Sequence, residues 1–189
     1  MIERGYFGRA LQIVASDAVT YVVGGIVLHL VSLVAFGLLT GPAICGIVWI
    51  TLKHCRGEEV LFGDLFRGYE IFGASFLAGI VFSLMVGAGL IFCIVPGLIL
   101  GALFCFVFPF MLDRGLSFPD AMKASLELGK GRHDLLDRGF FFLLALLAGL
   151  SGIVLCGVGL LFTWPFMWAA IAVAYEDLAP EKPPAAPAD

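Results

Sequence analysis

Apolar residues fall in six long blocks along this chain, at 18–39, 42–52, 73–95, 98–112, 139–162 and 164–175. Within a block no polar stripe recurs at helical spacing, the pattern of helices surrounded on all sides by apolar material. A helix that crosses a bilayer needs roughly 20 residues. The first, third and fifth blocks have that length, whereas the second, fourth and sixth have 11, 15 and 12 residues. Between the members of each successive pair stand Thr40-Gly41-Pro42, Val95-Pro96-Gly97 and Thr163-Trp164-Pro165. Proline lacks the donor that continues a helix and glycine lets the backbone turn back. The pattern therefore predicts an all-α, polytopic transmembrane helix bundle of about six spans, arranged as three Gly/Pro-apex hairpins, each with a long and a short arm. The short arms must either lengthen into their flanks or draw their apices below the outer surface. In the second case they leave a recess lined by Thr40, Cys45, Cys93, Cys156 and Thr163.

The segments between the blocks carry their own periodicity. At 61–72 the apolar positions 61, 62, 65, 66, 69 and 72 form a helical stripe opposite Asp64, Arg67 and Glu70. At 117–130, Phe118, Ala121 and Met122 face one way and Asp120, Lys123, Glu127 and Lys130 the other, with Ser117 and Asp120 in capping-box positions. Both predict interfacial amphipathic helices. Residues 1–17 read as an N-terminal interfacial segment. The apolar run at 10–15 is cut short by Ser16 and Asp17, below the roughly 7–15 residues of a signal-peptide core. Residues 18–177 form the transmembrane domain, and the Pro/Ala-rich 178–189 predicts a disordered tail. The pattern also repeats: Arg56-Gly57 then Phe62-x-Asp64-x-Phe66-Arg67, and Arg114-Gly115 then Phe118-x-Asp120-x-Met122-Lys123, at offsets of 58 and 56 residues. A third, truncated copy runs from Pro165 to Glu176-Asp177.

Composition agrees with a membrane chain. The 189 residues are 61% hydrophobic and 14% charged, and the mean hydropathy is +1.04. A soluble domain carries about 25% charged residues. Eleven Lys and Arg against fifteen Asp and Glu give a net charge of −4, which removes nucleic acid from the expected partners. Every basic residue lies at a terminus or in the even-numbered connections, so the positive-inside rule places both termini in the cytoplasm. Residues 113–138 carry five basic and five acidic groups, so no polybasic lipid hook is present.

Inside a bilayer, helices associate through close packing of small residues. Ser75, Gly79, Ser83 and Gly87 form one such row, and Ala148, Gly152 and Cys156 another. Packing within the bundle is the preferred assignment, with a homodimer seam as the alternative. His29 is the intramembrane ionisable residue, expected to hydrogen-bond a neighbouring helix because no carboxylate accompanies it in any span. Cys45, Cys55, Cys93, Cys105 and Cys156 show no metal-ligand spacing. His54-Cys55 and His133-Asp134 lack a third orienting group. Leu128-Gly-Lys-Gly-Arg-His-Asp134 lacks the glycine and hydroxyl spacing of a phosphate loop. Phe162, Trp164, Phe166 and Trp168 read as an interfacial aromatic anchor. No catalytic residue, cofactor or metal is expected.

The stretch Val95-Pro-Gly-Leu-Ile-Leu-Gly-Ala-Leu-Phe104, with Phe108-Pro-Phe-Met-Leu-Asp113-Arg-Gly and Asp120-Ala-Met-Lys-Ala-Ser125, resembles a group of uncharacterised bacterial polytopic inner-membrane proteins. These are similar to the membrane domain attached to some glycerophosphoryl diester phosphodiesterases. The resemblance covers about 18–177 and implies a bacterial membrane protein without the phosphodiesterase barrel. Taken together, the sequence points to a non-enzymatic scaffold or accessory subunit that contacts membrane lipids and either a second copy or another membrane protein. The alternative is a small transporter or channel component for an apolar or uncharged solute.

Overall fold

The computed structural model describes residues 5–34, 40–92, 94–128, 132–151 and 159–179, and these are helical nearly throughout. In chain order the elements are α1 (Tyr6–Ser16), α2 (Ala18–Val34), α3 (Thr40–Arg56), a 3₁₀ helix (Phe62–Phe66), α4 (Arg67–Glu70), α5 (Phe72–Phe92), α6 (Ile94–Phe104), α7 (Val107–Arg114), α8 (Phe118–Glu127), α9 (Arg132–Leu150) and α10 (Leu160–Leu178). Among the described residues, two segments are long and apolar enough to cross a membrane, 72–89 in α5 and 95–114 across α6 and α7.

Three pairs of helices that follow one another in the chain lie against each other. In α2 and α3, Gly24 lies against Ile47 and the Tyr21 hydroxyl bonds Thr51 Oγ1 at 2.8 Å. In α5 and α6, Gly89 abuts Gly97, and further back along α5 Phe82 meets Phe108 of α7. In α9 and α10, Thr163 Oγ1 donates to the Gly149 carbonyl at 2.6 Å and Met167 covers Gly149.

The centre of the molecule belongs to α3 and α10. Every residue from Met167 to Tyr175 is buried, and so are Gly41 to Val48 and Ile50 to Leu52. By contrast α5 and α9 leave Leu77, Leu84, Phe140 and Leu147 exposed. The two shortest apolar blocks, 42–52 and 164–175, thus give the inner helices. They are also longer than the apolar blocks imply: α3 adds residues on both sides of 42–52, and α10 on both sides of 164–175. At 1.5 Å per residue they reach about 26 and 28 Å.

The prolines explain the difference. Pro42, Pro96 and Pro109 are each the third residue of a helix, where a missing N–H costs nothing because the first turn has no acceptors to fill. Pro165 sits within α10. These residues begin or bend the second helix of each pair instead of occupying a separate turn. The predicted helix at 61–72 is instead a 3₁₀ turn followed by α4, with a break at Ile71. The segment at 5–17 becomes α1, which packs on the bundle through Tyr6 and Phe7 against Phe141 and Phe166.

Candidate functional site

The polar chemistry of the described residues gathers where α3, α7 and α10 end. The Arg56 guanidinium reaches Glu176 through two hydrogen bonds of 2.9 and 2.8 Å, and a third of its nitrogens lies 2.8 Å from Asp113 Oδ1. Asp113 is buried, and its other oxygen accepts the Tyr175 hydroxyl at 3.0 Å. Glu176, aided by Asp113 and against the effect of partial burial, holds the Arg56 guanidinium above its ordinary pKa. Alongside, Arg9 of α1 bonds Asp177 at 2.5 Å, and His54 Nε2 lies 3.6 Å from Asp17. One cluster therefore ties α1, α3, α7 and α10.

An aromatic stack continues from it. Arg114 lies over Phe110 at 5.1 Å, Phe110 meets Tyr175 edge-on at 4.9 Å, Tyr175 meets Phe106 at 6.3 Å, and Arg138 lies over Phe106 at 4.9 Å. Arg138 is 2% exposed. Its terminal nitrogens donate to the Ser125 carbonyl at 3.2 Å and to Leu103 at 3.5 Å, and the Ser125 hydroxyl donates to the same Leu103 carbonyl at 2.6 Å. Leu103 and Ser125 lie in the last turns of α6 and α8, where carbonyls lose their helical partners and the helix dipole is negative. Arg138 caps two helix ends at once, and this permits the break between α6 and α7.

The repeated motif has a repeated structure. Arg56 and Arg114 end their helices, and Gly57 and Gly115 follow at φ +68 and +63, the left-handed conformation that glycine adopts without strain. At the first, Gly57 N–H bonds the His54 carbonyl and Glu58 N–H the Lys53 carbonyl, a Schellman cap. Asp64 and Asp120 each occupy the third position of the next helix. Asp64 accepts from Leu61 N–H and Lys53 Nζ, each at 2.8 Å, and from Trp49 at 3.3 Å. Burial alone would raise the Asp64 pKa, but Lys53, the Leu61 amide and Trp49 together hold it below the usual value. Asp120 accepts from Ser117 Oγ at 2.5 Å and Lys123, so it too is held low; the predicted capping box becomes a side-chain pair.

The residues singled out from sequence lie as follows. Ser75 is buried and donates to the Gly68 carbonyl at 2.8 Å. A Cβ on Gly79 would stand 2.6 Å from Gly41 Cα, so α5 and α3 touch backbone to backbone there. Ser83 is exposed, and a Cβ on Gly87 would meet nothing within 4 Å. Ala148 is half-buried, and the residues of α9 that enter the core are Phe141, Phe142, Ala145 and Gly149. The His29 side chain, Cys93, Gly152 and Cys156 lie outside the described residues, as does the His133 side chain. Cys45 and Cys105 are buried free thiols, so Cys45 lines no open recess. Burial pushes the Cys55 thiol up to about 11, which keeps it protonated at neutral pH. Among the described residues no three His, Cys, Asp or Glu side chains converge on a metal position. The arrangement is a clamp of ion pairs and helix caps.

Sequence inspection missed Arg138 and the Arg56–Asp113–Glu176 cluster. The available signal was the repeat itself: two copies end in arginine, and the truncated third ends in acids that can meet them.

No protein-family description and no solved structure matches this chain. Uncharacterised proteins of Mycobacterium bovis and Mycobacterium tuberculosis are 31% identical to it over 120 residues, which amount to 64% of this chain and 36% of each relative. The chain spans about a third of the length of the curated relatives it matches.

Proposed function

We propose that this protein is a polytopic inner-membrane scaffold or accessory subunit without enzymatic activity, built from about six spans in three helical hairpins with both termini cytoplasmic. The packing of α2 against α3, α5 against α6 and α9 against α10 supports the hairpins. The placement of all eleven basic residues at termini and even-numbered connections supports the orientation. The resemblance to membrane domains attached to phosphodiesterases fits an anchoring role, in which the cytoplasmic segments meet a partner. The observation that carries the scaffold assignment is the filled apolar interior. From Met167 to Ala174 the central helix is buried in the apolar cluster, and the buried polar groups at its end, Tyr175 and Asp113, bond each other and Arg56.

Affinity purification of the full chain in mild detergent tests it. A membrane-protein partner that stays bound in stoichiometric amount through size exclusion is the expected result. A chain that runs alone, and whose proteoliposomes pass glycerol faster than empty vesicles, contradicts the scaffold and favours a small transporter or channel component.

A further inference from the structure

The repeated Phe-x-Asp motif is used in two different ways. In α8, Phe118 and Met122 turn into the bundle and line a small apolar cleft with Phe82 and Met85 of α5. In the 3₁₀ helix Leu65 is the buried residue, while Phe62 and Phe66 stand 60% and 43% exposed. These two rings begin an unbroken series. Phe62 meets Phe66 at 6.2 Å, Phe66 meets Tyr69 at 6.0 Å, Tyr69 stacks on Phe72 at 6.4 Å, and Phe72 stacks on Phe76 at 5.5 Å. The series leads onto the outer face of α5, where Leu77 and Leu84 are exposed.

The ionic groups of the same segment are neutralised locally: Asp64 is bound to Lys53, and Arg67 to Glu70 and over the Trp49 ring. An aromatic patch at the end of an aliphatic face, with charges cancelled beside it, matches the boundary between acyl chains and headgroups.

We infer that this aromatic stripe is a lipid-contacting wedge, which seats the 3₁₀ helix and α4 at the phospholipid glycerol level beside α5. Its partner is phospholipid, zwitterionic as readily as anionic, because the segment offers no surplus charge. Continuity with the outer face of α5 selects lipid over a second protein. The assignment rests on α5 being a membrane span.

Photocrosslinking of the full chain in phosphatidylcholine vesicles tests it, with p-benzoylphenylalanine introduced in turn at Phe62, Phe66, Glu70 and Leu84. Lipid adducts at Phe62, Phe66 and Leu84, several-fold above those at Glu70 and unchanged when phosphatidylglycerol is included, are expected. Adducts at Leu84 without adducts at Phe62 and Phe66, or chain-to-chain products at those two positions, overturn the wedge and leave the membrane placement of α5 standing. Yields at Phe62 and Phe66 that rise with phosphatidylglycerol overturn its indifference to charge. Loss of lipid adducts at Leu84 as well overturns both.

Discussion

Gly41 and Gly79 bring α3 and α5 into backbone contact. A Cβ on Gly41 would lie 2.1 Å from the Ser75 carbonyl oxygen, and backbone cannot swing aside as a side chain can. Gly79→Ala should therefore cost about 1–3 kcal/mol, the usual range for overpacking. Gly87→Ala meets open space and should be neutral or stabilising by up to about 1 kcal/mol, since alanine is the better helix former. Thermal unfolding of both variants in one detergent separates the two. Arg138 makes an equally local prediction. Arg138→Met keeps much of the apolar stem but strips the Ser125 carbonyl of its donors, while the Leu103 carbonyl keeps the Ser125 hydroxyl, so it should destabilise by about 1–3 kcal/mol for the one buried acceptor left unsatisfied. Arg138→Lys should recover part of that loss, because a cation still reaches the helix ends. If Met were tolerated as well as Lys in the same unfolding assay, the double cap would carry no stability.

At the scale of elements, the junction of α3, α7 and α10 should outweigh every surface pair. Arg56→Ala leaves the buried Asp113 without its cation, an arrangement that costs about 3–5 kcal/mol when fully buried and less here, where Arg56 is partly exposed. Arg67→Ala removes an exposed pair with Glu70 and should cost no more than about 1 kcal/mol. Chemical denaturation in detergent ranks them. The 3₁₀ helix adds a pH dependence. Asp64 has a folded pKa below its unfolded value, so its contribution is complete above the ordinary aspartate pKa of about 4 and disappears as pH falls through the folded value. Wild-type protein should lose stability between pH 5 and acid pH by more than Asp64→Asn does, and parallel curves would contradict the assignment.

Each apolar block holds helix among the described residues, because apolar blocks and charged connections alternate along the chain. Helix ends were harder to read. Proline signals a break, yet Pro42 and Pro96 lie in first turns, where the donor they lack has no acceptor to miss. The row Ser75, Gly79, Ser83, Gly87 has even spacing, but α5 meets α3 only over its first part, so half the row turns outward. Arg138 reads in the sequence as one more loop cation. Its role depends on the break after Phe104, which no local pattern announces.

For the whole molecule, burial and charge tell one story. The helices α3 and α10 lie inward, α5 and α9 keep exposed apolar faces, and the ends of α3, α7 and α10 are tied by Arg56, Asp113 and Glu176. In a bilayer this places apolar side chains against lipid and the ionic cluster at one surface. The most direct test is labelling of single-cysteine variants in intact cells with a membrane-impermeant maleimide. Positions Glu58 and Lys123, beside the basic connections, should stay unlabelled until the cells are lysed, whereas Val95, exposed near the α5–α6 connection, should label from outside. Labelling of Glu58→Cys or Lys123→Cys in intact cells, or protection of Val95→Cys, would contradict the topology on which the proposed role depends.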